Sequence, residues 1–311
     1  MTEQPHKIFD GIELGIGTWA WGDRLVWNYG NGYSDIDVAE SFKNAVDNGI
    51  RFFDTAEIYG QGKSESFLGR LMEDHGESLV VATKMMPYPW RLHPDVLQRR
   101  LEASLERLGL DKVQLYQMHF PLPPVPLRTW MERMLDLQKK GLVEAIGVSN
   151  YDLRQTLECH EVLSNNGSRL ASNQVEYHLL ERRIEKNGLM EKCNELGIKI
   201  IAYSPLAMGI LTGKYTPEKP PSGVRNSQYN REYLARIQPL IKSIRKIGDD
   251  HNGKTVAQVA LNWIICKGAL PIPGAKNVTQ MEQNIGGKGW KLTSDEVLLL
   301  DELSDSVTKK D

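Results

Sequence analysis

The sequence predicts an α/β protein, a TIM (β/α)8 barrel carrying an N-terminal β-hairpin and extra C-terminal helices. Short apolar runs with strand character alternate with amphipathic helical stretches along almost the whole chain. The count comes to roughly eight β/α units in about 300 residues, the proportion of a closed barrel and not of an open doubly wound sheet. Glycines stand repeatedly where a helix should stop. No linker, repeat or low-complexity tract interrupts this alternation, so residues 1–311 read as one domain.

Taken in order, Lys7 to Glu13 carries the turn dipeptide Asp10-Gly11 between Ile8-Phe9 and Ile12, which predicts a small hairpin that plugs or caps the fold. Leu14 to Trp21 is a first strand whose glycines allow close backbone approach. Asp35 to Asn48 places Ile36, Val38, Ala39, Phe42, Ala45 and Val46 on one helical face, and Gly49 ends it. Strand Phe52 to Asp54, helix Ser64 to Glu73, strand Leu79 to Thr83, helix Pro94 to Leu108 and strand Val113 to His119 follow. Next come helix Leu127 to Lys140, strand Ala145 to Val148, helix Tyr151 to Leu163, strand Ala171 to Val175, helix Asn187 to Leu196 and strand Lys199 to Ala202. The stretch from Tyr215 to Asn230, rich in Pro, Ser, Gly and Asn, reads as an exposed loop. Helices Arg231 to Asp249 and Val256 to Cys266, strand Ala269 to Ile272, and helices Val278 to Ile285 and Ser294 to Leu303 complete the chain.

Composition excludes several functions. With 38 basic and 40 acidic residues the net charge is 38 − 40 = −2, so no strong field favours nucleic acid or an anionic membrane surface. Cys159, Cys193 and Cys266 are far apart and odd in number, with no Cys/His cluster, which argues against a disulfide framework and against a metal site. The N-terminal residues lack the apolar core of a signal peptide, and no run approaches the ~18 apolar residues that span a bilayer. A cytoplasmic setting is the expectation. Gly62-Lys63-Ser64 matches the end of a phosphate loop, but the glycine required at position 57 is Glu57. Gly15 and Gly17 begin a loose dinucleotide fingerprint with no amphipathic helix after it, so a Rossmann site is unsupported.

Chemistry concentrates instead at strand ends. Asp54 closes one strand and Tyr59 follows five residues later, Lys84 stands just past a second strand, and His119 ends a third. A phenol with a pKa near 10 is a poor acid at neutrality, and a neighbouring ammonium stabilises its anion. Lys84 can do this while Asp54 keeps Lys84 charged and aimed, and His119 can hydrogen-bond the same oxygen. Trp19, Trp21 and Trp90 are candidates to wall an apolar substrate pocket.

These residues lie within ordered blocks: Gly-Thr-Trp at 17–19, Phe-Asp-Thr-Ala-Glu-Ile-Tyr-Gly at 53–60, Thr-Lys at 83–84, Leu-Tyr-Gln-Met-His at 115–119, Gly-Val-Ser-Asn at 147–150, Asn-Gln-Val-Glu-Tyr at 173–177 and Tyr-Ser-Pro-Leu at 203–206. Together they resemble the aldo-keto reductase family from about residue 7 to 305. The resemblance implies a barrel using NADPH/NADP+ to reduce aldehyde or ketone substrates to alcohols, with Tyr59 as general acid and Asp54, Lys84 and His119 as its partners. It further implies that Gly17, Thr18, Trp19 and Asp54 border the cofactor, that Ser149, Asn150 and Gln174 hydrogen-bond the nicotinamide carboxamide, and that Tyr203 stacks on the ring. Ser204, Pro205, Leu206, Gly209, Leu211, Gly213 and Lys214 correspond to the loop around the pyrophosphate. Gly274, Lys276, Gln280, Gln283 and Asn284 correspond to the adenosine site, with Lys276 and Gln280 at the 2′-phosphate. Several relatives carry Arg where Gln280 stands, which leaves Lys276 as the cation there.

Two rival readings come from other classes. The block Gln280 to Asn284 also resembles the NADPH-binding β subunits of potassium channels, a regulatory alternative; His119 favours the enzyme. A lyase using Lys84 as a Schiff base is the other.

Overall fold

The structure, a computed structural model, describes residues 3–24, 26–73, 79–222, 227 and 229–308. Eight parallel strands run in sequence order: β1 (Gly15–Gly17), β2 (Phe52–Asp54), β3 (Val80–Met85), β4 (Val113–Met118), β5 (Val143–Ser149), β6 (Leu170–Glu176), β7 (Lys199–Tyr203) and β8 (Leu270–Pro271). The seam between last and first strand closes through the Gly17 amide, which donates to the Pro273 carbonyl at 3.1 Å. Only glycine fits there, because a Cβ on Gly17 would stand 2.9 Å from the Ile272 carbonyl oxygen.

The connecting helices are α1 (Asp35–Asp47), α2 (Lys63–Met72), α3 (Val96–Leu108), α4 (Leu127–Lys139), α5 (Leu153–Ser164), α6 (Arg183–Lys186), α7 (Leu189–Glu195), α8 (Arg231–Asp250), α9 (Val256–Cys266), α10 (Val278–Ile285) and α11 (Ser294–Thr308). Their boundaries follow local chemistry. Ser34 and Asp37 form the capping box that starts α1, and its buried face is Val38, Phe42 and Ala45. Asp152 caps α5, which moves the start of that helix two residues past Tyr151. The helix expected over Asn187 to Leu196 forms as α7, which starts only after Gly188 takes a positive φ of 78°, and the short α6 lies ahead of the expected range.

The period of two along each strand sorts the side chains. Phe53 points outward against Phe42 of α1, at 5.1 Å between ring centroids. Its neighbour Phe52 points inward with Ala82, Leu115, Ala145, Ala171, Ile201 and Leu270 to form a separate apolar layer inside the barrel. Ile8 and Phe9 close this layer from below, and Phe9 packs on Phe52 at 6.0 Å.

The hairpin expected over Lys7 to Glu13 is not formed. Lys7–Phe9 is a short 3-10 turn capped by His6. In a strand, adjacent side chains face opposite sides, whereas the plug needs Ile8 and Phe9 on one side, and a turn provides that. The plugging role survives the change of geometry. The stretch 215–230 also departs from a plain exposed loop: Thr216 and Lys219 bridge, Pro221 and Tyr229 are buried, and residues 223–226 and 228 lie outside the described residues. Among the described residues no helix is long and apolar enough to cross a membrane.

Candidate active site

Two residues above the apolar layer on β2, β3 and β4, and three above it on β6 where the register shifts, the strands turn polar. Asp54, Lys84, Gln117 and Gln174 point inward from β2, β3, β4 and β6, all buried. The Lys84 ammonium uses its three donors on Asp54 Oδ1 at 2.5 Å, the Thr55 carbonyl at 2.8 Å and the Tyr59 hydroxyl at 3.2 Å. The other oxygen of Asp54 accepts from Gln117 Nε2 at 3.1 Å and Gln174 Nε2 at 2.8 Å. Burial opposes charge on Lys84, yet Asp54 and Tyr59 outweigh it and its pKa is raised, so the amine stays an ammonium. A fully donated ammonium is a poor nucleophile, which removes the basis for the Schiff-base reading.

For Tyr59 the balance differs from the expectation. Burial raises its pKa, Lys84 pulls it down, and burial prevails, so the net shift is upward. The ammonium therefore offsets a desolvation cost and does not by itself make the phenol acidic. His119 lies edge-on to Tyr59, with ring centroids 5.7 Å apart and 81° between planes, and stacks on Phe120 at 5.3 Å. The expected hydrogen bond from His119 to the phenol oxygen is not made among the described residues. Burial, assisted by Lys84, pushes the imidazole pKa down to about 3. The ring is neutral, and its buried Nδ1 has no partner among the described residues.

The mouth is framed by aromatic side chains in unequal ways. Trp19 stacks on Tyr59 at 5.8 Å and 24°, and its indole N–H donates to Asp23 at 3.0 Å. Trp90 is 72% exposed on the loop after β3 and stacks on Tyr88 at 4.6 Å. Trp21 corrects the expectation: it is fully buried outside the barrel, packs on Phe42 and Phe53, and donates its indole N–H to the Ala275 carbonyl at 2.9 Å. It cannot line a substrate pocket.

Around this centre the remaining candidates fall into three groups. Thr18 holds the end of β2, its amide and hydroxyl both donating to the Asp54 carbonyl, at 2.8 and 3.0 Å. Asn150, held at φ 64°, donates to Ser149 Oγ and the His119 carbonyl and accepts from the Tyr203 hydroxyl at 2.9 Å. The Gln174 carbonyl accepts from Ser149 Oγ and the Asn150 amide, both at 2.9 Å, while its side-chain amide is engaged by Asp54. Gln174 thus belongs to the charge layer as well as to the polar strand-end group.

The second group, Ser204 to Lys214, is a tight run of turns with positive φ at Ser204, Ala207, Met208, Gly209 and Gly213. The amides of Ala207, Gly209, Leu211 and Gly213 donate to carbonyls of this same segment, Pro205 and Leu211 are buried, and Lys214 is exposed over the Tyr215 ring. It is a self-bonded segment whose exposed cation is Lys214. The third group surrounds the start of α10. Gln280 accepts from the Lys276 amide, Gln283 from Thr255, and Asn284 donates to the Gly274 carbonyl. The Lys276 ammonium donates to the Trp27 carbonyl at 2.9 Å.

Sequence reading assigned no role to Gln117, although it stands in register with Lys84 and repeats the inward phase of Leu115. It also left Glu57 unused. Among the described residues no group of three or more His, Cys, Asp or Glu is placed to hold a metal ion.

With this geometry in view, comparison with known proteins is decisive. The sequence profile of the Aldo/keto reductase family matches residues 13–305. The chain belongs to that family. Among relatives of this aldo/keto reductase, the chloroplastic pyridoxal reductase of Arabidopsis thaliana is 42% identical over 302 residues, covering 93% of this chain and 82% of the relative. An aldo-keto reductase of Bacillus subtilis is 31% identical, covering 92% and 88%. A glycerol dehydrogenase from Gluconobacter oxydans superposes with a TM-score of 0.83 at 26% identity, over 96% of this chain and 93% of that one. An aldo/keto reductase from Klebsiella pneumoniae in complex with NADP and acetate superposes at 0.74 with 27% identity, over 96% and 93%. The barrel and the oxidoreductase family are thereby established. The residues here suit a nicotinamide dinucleotide: a neutral, unpartnered His119 Nδ1 and the Ser149, Asn150 and Tyr203 side chains lie at the strand ends beside Tyr59, and Lys276 supplies a cation at the α10 end.

Proposed function

We propose that this chain, acting as one domain over residues 1–311, is an NADPH-dependent reductase of aldehydes or ketones with Tyr59 as the proton donor. The observation that carries the reading is one buried ammonium, Lys84, bonded at once to the Asp54 carboxylate and the Tyr59 hydroxyl. When bound, NADPH supplies the hydride. Tyr59 gives its proton to the carbonyl oxygen of the substrate. The phenolate left behind faces an ammonium 3.2 Å away, which Asp54 keeps charged. The neutral imidazole of His119, edge-on to the phenol, orients the substrate oxygen by hydrogen bonding. Trp19 shields the phenol from solvent on one side.

The carboxamide contacts assigned to Ser149, Asn150 and Gln174, the ring contact of Tyr203 and the phosphate contacts of Lys214 and Lys276 belong to this proposal. The Klebsiella pneumoniae neighbour crystallised with NADP and acetate supports the cofactor choice. The pyridoxal reductase relative, together with the stacked Trp19 and Tyr59, makes aromatic aldehydes such as pyridoxal the first substrates to try. Three cysteines without a disulfide suit a reducing cytoplasmic setting. The test is NADPH consumption with pyridoxal, benzaldehyde and propanal. Prompt oxidation supports the reductase, whereas tight NADPH binding without consumption supports the regulatory alternative.

A further inference from the structure

Glu57 is a carboxylate with 1% side-chain exposure that the proposed chemistry does not use. It stands between Asp54 and Tyr59 in the chain, and its amide donates to the Lys84 carbonyl at 3.2 Å. Its side chain takes three donors from two other places. The Met86 amide donates to Oε1 at 2.9 Å, Arg91 Nη1 donates to the same oxygen, and Arg100 Nε donates to Oε2 at 2.5 Å. Arg100 belongs to α3. Met86 and Arg91 bracket the loop that leaves β3 at the mouth of the barrel. Arg91 also donates to the Met86 carbonyl at 2.8 Å and lies over the Tyr88 ring at 5.0 Å. Tyr88 in turn stacks on the exposed Trp90. One buried carboxylate therefore ties the segment bearing the phenol to the loop bearing an aromatic platform.

We propose that Glu57 is a positioning residue and that the Glu57–Arg91 pair sets where the Tyr88–Trp90 platform stands at the mouth, making Arg91 a determinant of selectivity for flat aromatic carbonyl substrates. The selectivity half rests on the reductase reading above; the clamp itself does not. The two arginines separate positioning from general stabilisation. Arg91 is 15% exposed and holds the loop, whereas Arg100 is 37% exposed and holds α3 to the same carboxylate. Losing either leaves Glu57 paired with the other and with the Met86 amide, so both variants should fold.

The experiment compares Arg91→Met, Arg91→Lys and Arg100→Met with wild type in two measurements. In steady-state kinetics with NADPH, Arg91→Met should raise KM for benzaldehyde about fivefold or more while kcat and the KM for propanal stay within about twofold. Arg91→Lys should recover part of the loss, and Arg100→Met should leave both KM values within about twofold of wild type. In hydrogen exchange of the protein without cofactor, Arg91→Met should speed exchange of a peptide over residues 86–92 about tenfold or more, with Arg100→Met leaving that peptide unchanged. Equal effects of Arg91→Met on both aldehydes, or an Arg100→Met variant that matches it, would overturn the selectivity role. Unchanged exchange at 86–92 in Arg91→Met would overturn the clamp. A wild-type protein inert toward all carbonyls would overturn the reductase reading and the selectivity half with it, while exchange would still decide the clamp.

Discussion

The two layers inside the barrel are built from successive stretches of the same strands, and they do opposite things. Below, Phe52, Ala82, Leu115, Ala145, Ala171, Ile201 and Leu270 pack as an apolar disc sealed by Ile8 and Phe9. Above, Asp54, Lys84, Gln117 and Gln174 bury two charges and two amides in one hydrogen-bonded cluster. Burying a large apolar side chain stabilises the fold by about 1.5–3 kcal/mol. Burying an ion costs several kcal/mol that a close partner only roughly offsets, so a buried pair is weak evidence for stability. The lower layer accounts for the fold, and the upper layer is accounted for by the chemistry proposed for it. Active sites of TIM-barrel enzymes lie at this C-terminal face, and the divide between layers is the local reason in this chain.

Lys84→Met should give the largest effect, because it leaves the Asp54 carboxylate buried without its cation. A loss of about 3–5 kcal/mol in urea unfolding is expected, with turnover abolished. The double variant Lys84→Met/Asp54→Asn sharpens the contrast. It should recover most of that stability and none of the turnover, whereas a double variant as unstable as the single one would make the pair a stabilising element. Phe52→Ala, in the disc, should cost about 3–5 kcal/mol in the same melts and leave kcat unchanged at temperatures where the protein stays folded. A fall in kcat larger than the unfolded fraction would break the separation of layers.

A smaller, pH-dependent effect belongs to His119. Its pKa stands at about 3 in the folded chain against an ordinary 6.5. The unfolded chain binds the extra proton first, so this contribution is complete above pH 6.5 and is lost as the pH falls toward about 3. Urea midpoints measured across that window should fall more steeply for wild type than for His119→Asn. Identical slopes would mean that the imidazole is not held neutral.

Much of the fold was legible because a barrel repeats one simple signal. Each strand is a short apolar run, and a helical face such as Val38, Phe42 and Ala45 with Gly49 behind it can be read without its neighbours. The plug was misread because adjacent apolar residues bracketing Asp10-Gly11 suit a hairpin equally well, and the side that Ile8 and Phe9 must share is dictated by Phe52, far along the chain. Trp21 was misread for a similar reason: which face an aromatic takes after a short strand depends on where α1 lies. Asp54, Lys84, Tyr59 and His119 were legible as a convergent set. The upward pKa shift of Tyr59 was not, since it follows from depth of burial. Gln117 was within reach of the alternation that places Leu115 and Lys84 inward.

The proton-donor assignment is tested most directly by Tyr59→Phe, with NADPH affinity and NADPH oxidation measured on the same preparation. The phenyl ring keeps the shape beside Trp19 and removes only the hydroxyl. The account predicts NADPH binding within about twofold of wild type and a fall in aldehyde-dependent turnover of roughly 10²–10⁴-fold. Turnover equal to wild type in Tyr59→Phe, with binding intact, would contradict it.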